Sequence, residues 1–298
     1  MKTRIIILCA IAIFILTGCS GWTKQPLLVC LESAPGAAST KPCPVYLWQE
    51  SYKEPRPMAI SFMRIDLHNK RYEPVVMAAD DPDGTGPAEA QLAEPADILK
   101  KYGAFAAVNA NAFARADNAD DKPGWHTGLY VDIRGLAASD GKMISLFDDR
   151  PGSKTAFWVD GDGKVSVGVP ANDAEVKNGV ADWISPILTD GQIAAPEDDV
   201  RHPRTLAGID EQGRFITLAV VDGRRKDYSD GMTLYEAAVL MRNHGCKSAV
   251  NLDGGGSSIM LYTDDEGQTI KTANRPSDNK PRPIPVMLGV RKAGVGSK

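Results

Sequence analysis

The segment Asn251-Leu252-Asp253-Gly254-Gly255-Gly256-Ser257-Ser258 brings a carboxylate, a carboxamide and two hydroxyls up against three consecutive glycines. Glycine loses more conformational freedom on folding than any other residue, so a run of three implies a local demand. Two demands stand open. Gly254, Gly255 and Gly256 could bring backbone N–H groups close to an anion, as in an anion-binding nest, or they could simply make a ligand-free turn. The segment lacks the Lys and following Ser or Thr of a P-loop, which argues against nucleotide hydrolysis. Two arginine groups could supply complementary charge: Arg201-His202-Pro203-Arg204-Thr205 and Asp222-Gly223-Arg224-Arg225. A guanidinium is a planar fork suited to phosphate oxygens, although any one arginine at a strand edge is ordinarily a solvated surface residue. Taken together with the glycine loop, these groups point to an anionic substrate confined to one pocket.

The elements that must position these residues are mostly short strands. Alternating or apolar runs predict strands at Met58–Leu67, Tyr72–Ala78, Gly128–Ile133, Thr155–Val159, Lys164–Val169, Arg204–Ile209 and Arg214–Val221. Asp160-Gly161-Asp162-Gly163 and Asp210-Glu211-Gln212-Gly213 lie between paired runs and read as hairpin turns. The first lacks the remaining ligands of a calcium-binding EF-hand loop. Two helices are expected. Pro95–Tyr102 has proline in its first turn and stops at Gly103, and Thr233–His244 has Thr233 and Glu236 at capping-box spacing and stops at Gly245. After each stop the chain reads Gly-x-x-x-Ala-Val-Asn, ending at Asn109 and at Asn251. Chance is one account of that match. The other is an internal pseudo-repeat that brings Asn109 and Asn251 to one cleft. The expected fold is α+β, a single domain with a mixed or antiparallel β-sheet core and few helices.

The composition is close to that of ordinary globular proteins, with 43% hydrophobic and 24% charged residues. A net charge of −4 excludes the broad basic surface that nucleic acid requires. The start of the chain departs from this average. Lys2 and Arg4 precede an apolar run, Ile5 to Leu16, too short for a comfortable membrane span, and Leu16-Thr17-Gly18-Cys19 follows. That ending resembles a bacterial lipobox, so residues 1–18 are expected to be a signal peptide and Cys19 the lipid-acylated first residue. An ordinary secretory signal, or a short anchor with a chance cysteine, is the alternative. The anchor would hold the protein outside the cytoplasm, on the outer membrane if the host is Gram-negative, without spanning the bilayer. Cleavage moves the net charge two units further negative. It also leaves Cys30, Cys43 and Cys246, of which Cys30 and Cys43 are either bridged or free and Cys246 is a buried thiol at a strand start. Residues 19–57 read as a tether and packing arm, 58–292 as the domain and 293–298 as a flexible tail. Neither a Cys-x-x-Cys pair nor a histidine cluster suggests structural zinc.

The motifs carry a family resemblance. Asn251 to Ser258, preceded by Val221-Asp222-Gly223-Arg224 and Gly231-Met232-Thr233-Leu234-Tyr235-Glu236, resembles the phosphodiester glycosidase family. That family includes the lysosomal uncovering enzyme, N-acetylglucosamine-1-phosphodiester α-N-acetylglucosaminidase, and bacterial exopolysaccharide-related proteins. His202-Pro203-Arg204-Thr205 is similar to its His-Pro-Arg-Thr segment. Ala107-Val108-Asn109-Ala110-Asn111-Ala112-Phe113 is similar to its Asn-Gly-Gly-Phe-Phe segment, with Ala110 and Asn111 where glycines are common. Asn274-Arg275-Pro276-Ser277 with Arg282-Pro283-Ile284-Pro285 is similar to its closing segment. The resemblance spans about residues 58–291.

It implies hydrolysis of a sugar-1-phosphodiester, with an N-acetylglucosamine-like sugar released and a phosphomonoester left. In that chemistry Arg204, Arg224 and the N–H groups of Gly254 to Gly256 would hold the phosphate, with Ser257 and Ser258 beside it. Asp253, and after it Asp222, would stabilise the oxocarbenium-like centre or activate water. Asn109 and Asn251 would orient sugar hydroxyls or water, and His202 is a candidate proton carrier. No cofactor is required, and a divalent cation on Asp222 or Asp253 is conceivable without a visible ligand set. The rival function is a non-catalytic lipoprotein that binds an anionic envelope glycan through the same pocket. A third is a structural lipoprotein that docks a partner and uses the loop for no ligand.

Overall fold

The computed structural model describes residues 23–28, 44–147, 153, 155–184, 186–264, 269–278 and 280–294. Cys19 with its lipobox, and Cys30 with Cys43, lie outside the described residues. Two antiparallel sheets form the body. The larger runs, in spatial order, through Thr23–Leu28, Val45–Tyr52, Met58–Asp66, Phe215–Val221, Arg204–Ile209, Ser248–Asn251, Pro186–Thr189 and Gln192–Ile193. The second runs through Ile270–Thr272, Met260–Thr263, Ala104–Asn109, Val286–Lys292 and Tyr72–Ala78. Among the described residues every strand pairing is antiparallel.

The larger sheet is buried on both faces, and strand alternation does this. Met63, Ile65, Leu218 and Val220 lie on one face and share a core with Val76, Val108 and Leu288 of the second sheet. Their neighbours Ile60, Phe62, Ala219 and Val221 point the other way, onto Leu234, Ala237, Ala238 and Met241 of the helix Leu234–Asn243. That helix begins with the expected capping box. Thr233 accepts from the Glu236 N–H and Glu236 accepts from the Thr233 N–H, at 3.1 and 3.0 Å. The other helix, Pro95–Lys101, lies against the second sheet. Gly103 and Gly245 end the two helices at φ 59° and 86°, values that suit glycine.

The hairpin turns at Asp160 and Asp210 form through their own carboxylates, which accept the N–H groups of Asp162 and Lys164, and of Arg214 and Phe215. Cys246 is a buried free thiol, and burial pushes its pKa up to about 11. The arm expected over 19–57 needs correction in one respect. Val45–Tyr52 is a strand of the larger sheet, paired along its length with Met58–Asp66, and Val45, Leu47 and Trp48 are buried. Its alternation is masked in sequence by Gln49 and Glu50, the latter buried because Trp48 Nε1 and Tyr52 OH donate to it.

The strand Val286–Lys292 packs against Ala104–Asn109 so closely that a Cβ on Gly289 would overlap the Ala106 carbonyl oxygen and lie 2.6 Å from the Ala107 Cβ. Both obstacles belong to a buried strand and cannot swing away. Gly289→Ala should therefore cost about 2–3 kcal/mol of stability, read as a lowered urea midpoint at unchanged m. An unchanged midpoint would show that the two strands separate at little cost.

Candidate active site

The strands Ala104–Asn109 and Ser248–Asn251 belong to different sheets, yet their exits meet. The Asp253 N–H donates to the Ala110 carbonyl at 2.8 Å, and Asn109 Nδ2 donates to the Asp253 carbonyl at 2.7 Å. Asn109 Oδ1 accepts from Thr205 Oγ1 at 2.7 Å and from the Ile259 N–H at 3.1 Å. Asn109 is thus a buried clasp, 1% exposed, that joins both sheets and the glycine loop. The structure gives it a positioning task under Asp253 in place of the expected contact with sugar or water. Asn251 is equally buried. Its backbone carbonyl accepts from the Trp183 N–H at 2.7 Å, and its Nδ2 donates to the Trp183 carbonyl at 2.9 Å. Its Oδ1 is buried with no partner among the described residues.

The two candidate carboxylates differ sharply. Asp222 is 3% exposed, and both its oxygens are occupied. Asn274 Nδ2 donates to Oδ1 at 2.9 Å, Tyr228 OH to Oδ2 at 3.1 Å and the Arg275 N–H to both, at 3.1 and 2.9 Å. Burial raises its pKa against those bonds. All four of its lone-pair positions are thus engaged, and Asp222 fastens the segment at Asn274 and Arg275. Asp253 is only partly buried. Desolvation pushes its pKa up to about 6, opposed by hydrogen bonds from Ser257 and the Gly254 N–H and by the charges of Arg282 and Arg224.

Two of the three amides of the glycine loop are already engaged within the protein. The Gly255 N–H is taken by the Pro203 carbonyl at 3.0 Å, and that of Gly254 by the Asp253 carboxylate. The glycines answer instead to close approach. A Cβ on Gly254 would sit 2.6 Å from the Pro203 carbonyl oxygen, and one on Gly255, at φ 61°, 2.9 Å from Arg224 Nη2. At Gly256 it would overlap the Arg282 guanidinium. The loop is bare because the Pro203 backbone and two arginines lie against it.

Arg204 and Arg224 divide in the same way as the aspartates. Arg204 is 5% exposed, its Nε donating to the Met232 carbonyl at 3.0 Å and its Nη2 to the Val200 carbonyl at 3.1 Å, so most of its fork braces backbone. Arg224 is exposed, makes no ion pair among the described residues, and holds φ at 62°, a conformation that disfavours a side chain. Strain of this kind concentrates at functional sites. His202 stands near both, and burial together with the charges of Arg204 and Arg224 lowers its pKa, which favours the neutral imidazole. Its Nδ1 is buried without a partner among the described residues. Ser257 accepts from Arg282 Nη1 at 3.4 Å, while the Ser258 hydroxyl is buried and unpartnered among the described residues. No three His, Cys, Asp or Glu side chains converge there among the described residues.

Sequence reasoning missed two residues here, Arg282 and Trp183. Arg282 was legible within the Arg282-Pro283-Ile284-Pro285 segment but carried no assigned role. Trp183, which Asn251 clamps, and its neighbour Ile184 gave no signal, because what marks them is conformational. Trp183 is clamped at both backbone polar groups by Asn251, and Ile184 is an exposed β-branched residue at φ 90°.

A carboxyl whose pKa burial pushes up to about 6, within the fields of Arg224 and Arg282, can act on an electrophilic carbon next to an anionic phosphoryl group. Residues 102–291 match the family model of phosphodiester glycosidase. No curated protein sequence matches the chain. Among solved structures, the fold is similar to the zebrafish N-acetylglucosamine-1-phosphodiester α-N-acetylglucosaminidase catalytic domain auto-inhibited by its pro-peptide. That likeness has a TM-score of 0.62 and 20% identity over 91% of this chain and 88% of the other. A hypothetical protein from Synechocystis is similar at TM-score 0.56 and 14% identity, over 91% and 68% of the two chains.

Proposed function

The chain belongs to the phosphodiester glycosidase family, and from that premise we propose that it hydrolyses a sugar-1-phosphodiester, releasing the sugar and leaving a phosphomonoester. The observation that carries this is Asp253, a carboxyl with a pKa near 6 held between the Arg224 and Arg282 guanidinium groups on the glycine loop.

The phosphoryl group lies against Arg224, while Arg282, paired with Asp278 through Nε and Nη2, adds its charge from behind Ser257. Its ester oxygen is already a good leaving group, so stabilising the departing charge matters more than protonating it. The bond that breaks joins the anomeric carbon to this oxygen, and the electron pair leaves with the phosphate. The Asp253 carboxylate faces the oxocarbenium-like carbon, or takes a proton from the water that attacks it. Neutral His202 is available to accept a proton. The sugar is of the N-acetylglucosamine type, and the setting is envelope or exopolysaccharide glycan, with the protein anchored through acylated Cys19 outside the cytoplasm.

Incubating the purified domain with UDP-N-acetylglucosamine and with the methyl ester of N-acetylglucosamine 1-phosphate should release free sugar from both. A wild-type protein that turns over no sugar-1-phosphodiester, while still binding one, would replace hydrolysis with glycan capture.

A further inference from the structure

A cavity of 380 Å³ opens behind the glycine loop, lined by Arg225, Arg275, Lys280, Pro276 and Asp278 among others. It adjoins the active site through a short bonded chain. Asp278 accepts from Arg282 Nε and Nη2 at 3.2 and 3.0 Å, Arg282 Nη1 reaches Ser257 at 3.4 Å, and Ser257 hydrogen-bonds Asp253. Asp278 also crowds Gly256, its Oδ2 standing 2.5 Å from where a Cβ would lie, so the cavity starts about three residues from the reacting carboxyl.

Its electrostatics run against those of the rest of the chain. Overall the protein is acidic, with a net charge of −4. This wall presents three cations. Asp278 is the acidic group in the lining, and Arg282 neutralises it. Behind the wall Asp222 offsets part of the charge of Arg225, which leaves positive charge in excess. The cations are also available. Arg275 lies over the Tyr228 ring at 5.2 Å, which fixes its plane and leaves its edge donors open, and Lys280 is exposed with no ion pair among the described residues. Arg225 spends Nη2 on the Pro276 carbonyl at 2.9 Å, a bond that holds the rim in shape. Positive charge gathered in a concave site of an acidic protein selects a ligand by local field, and paired arginine forks favour phosphate oxygens.

The geometry points to a leaving-group subsite: we propose that this cavity receives a second phosphate, carried by the group beyond the scissile phosphodiester. The proposal deepens the hydrolase reading and rests on it for the placement of the first phosphate. It makes the preferred substrate a sugar joined through phosphodiester to a phosphorylated acceptor, in place of a sugar-1-phosphodiester with a neutral one.

The test uses a matched pair of N-acetylglucosamine 1-phosphodiesters, the methyl ester and the ester to glycerol 3-phosphate. Binding is measured by calorimetry on the Asp253→Asn protein and turnover on the wild type. The glycerol phosphate ester should bind about tenfold more tightly than the methyl ester, with a steeper loss on adding salt. Arg275→Ala with Lys280→Ala should erase that difference and leave the methyl ester unaffected in both binding and turnover. Equal binding of the two esters, or a preference that survives the double substitution, would overturn the subsite. Tight, cation-dependent binding of the phosphorylated ester with no turnover of either would leave the subsite standing and remove the hydrolase reading. Because Arg275 also touches Tyr228, Lys280→Ala alone serves as the control for folding and should produce part of the loss.

Discussion

Asp253→Asn is expected to lower kcat on a sugar-1-phosphodiester by about 10³-fold and, at pH 7, to raise the melting temperature by several degrees. Both effects come from one cause. The folded protein holds the Asp253 pKa near 6, and its ordinary value is 3.8. Between those values the native state binds a proton that the unfolded chain has released, so stability falls as pH rises through that window. The loss is complete above about pH 6 and amounts to about 2–3 kcal/mol. Asparagine keeps an oxygen for Ser257 and the Gly254 N–H but carries no charge to desolvate, so the variant loses the reaction and this slope together. In the wild type kcat/KM should rise with pH to a plateau above about 6, because the ionised carboxylate is the active form. A limb that falls with pH would make Asp253 an acid, and a variant as active as wild type would remove it from the chemistry. An inactive but destabilised variant would place Asp253 in the scaffold.

Arg224→Gly is expected to lower kcat/KM by about 10²–10³-fold without loss of stability. Most substitutions of a contact residue destabilise, and this one should not, because Arg224 is exposed, unpaired among the described residues and held at φ 62°, where glycine sits without penalty. If the guanidinium stabilises charge developing on the departing phosphate, most of the loss falls in kcat. If it only holds the substrate, KM rises alone. Arg224→Lys, which restores a point charge without the fork, should recover part of the activity. Arg204→Ala should behave differently, since Arg204 braces the Met232 and Val200 carbonyls and its loss registers first in the melting temperature. Activity that survives Arg224→Gly but not Arg204→Ala would reverse the two assignments.

Elements built from local interactions were legible in advance. The capping box at Thr233 and Glu236, the glycine stops at Gly103 and Gly245 and the aspartate turns at Asp160 and Asp210 each form between residues a few positions apart. Short strands such as Phe113–Arg115 and Ala137–Ser139 were not legible, being too brief to show a period and stable only through their neighbours. The strand Val45–Tyr52 was obscured by a buried glutamate, Glu50, whose distant partner His244 is brought to 3.4 Å only by folding.

By itself the sequence determined the inventory of the site: a glycine loop beginning at Asp253, arginines at two strand edges, a histidine before proline and two asparagines at strand exits. Only the tertiary structure decided which members of each kind are free to react. Asp222 and Asp253 are the same residue type beside similar glycines, as Arg204 and Arg224 are both arginines near strand ends. What separates them is hydrogen-bond partners brought from far along the chain. Asn274 reaches Asp222 across 52 positions, and Asn109 reaches the Asp253 backbone across 144. A polar group saturated by such partners becomes scaffold, and one left partly desolvated and unsaturated keeps its capacity for chemistry. That allocation depends on long-range packing, which no local pattern of residues encodes.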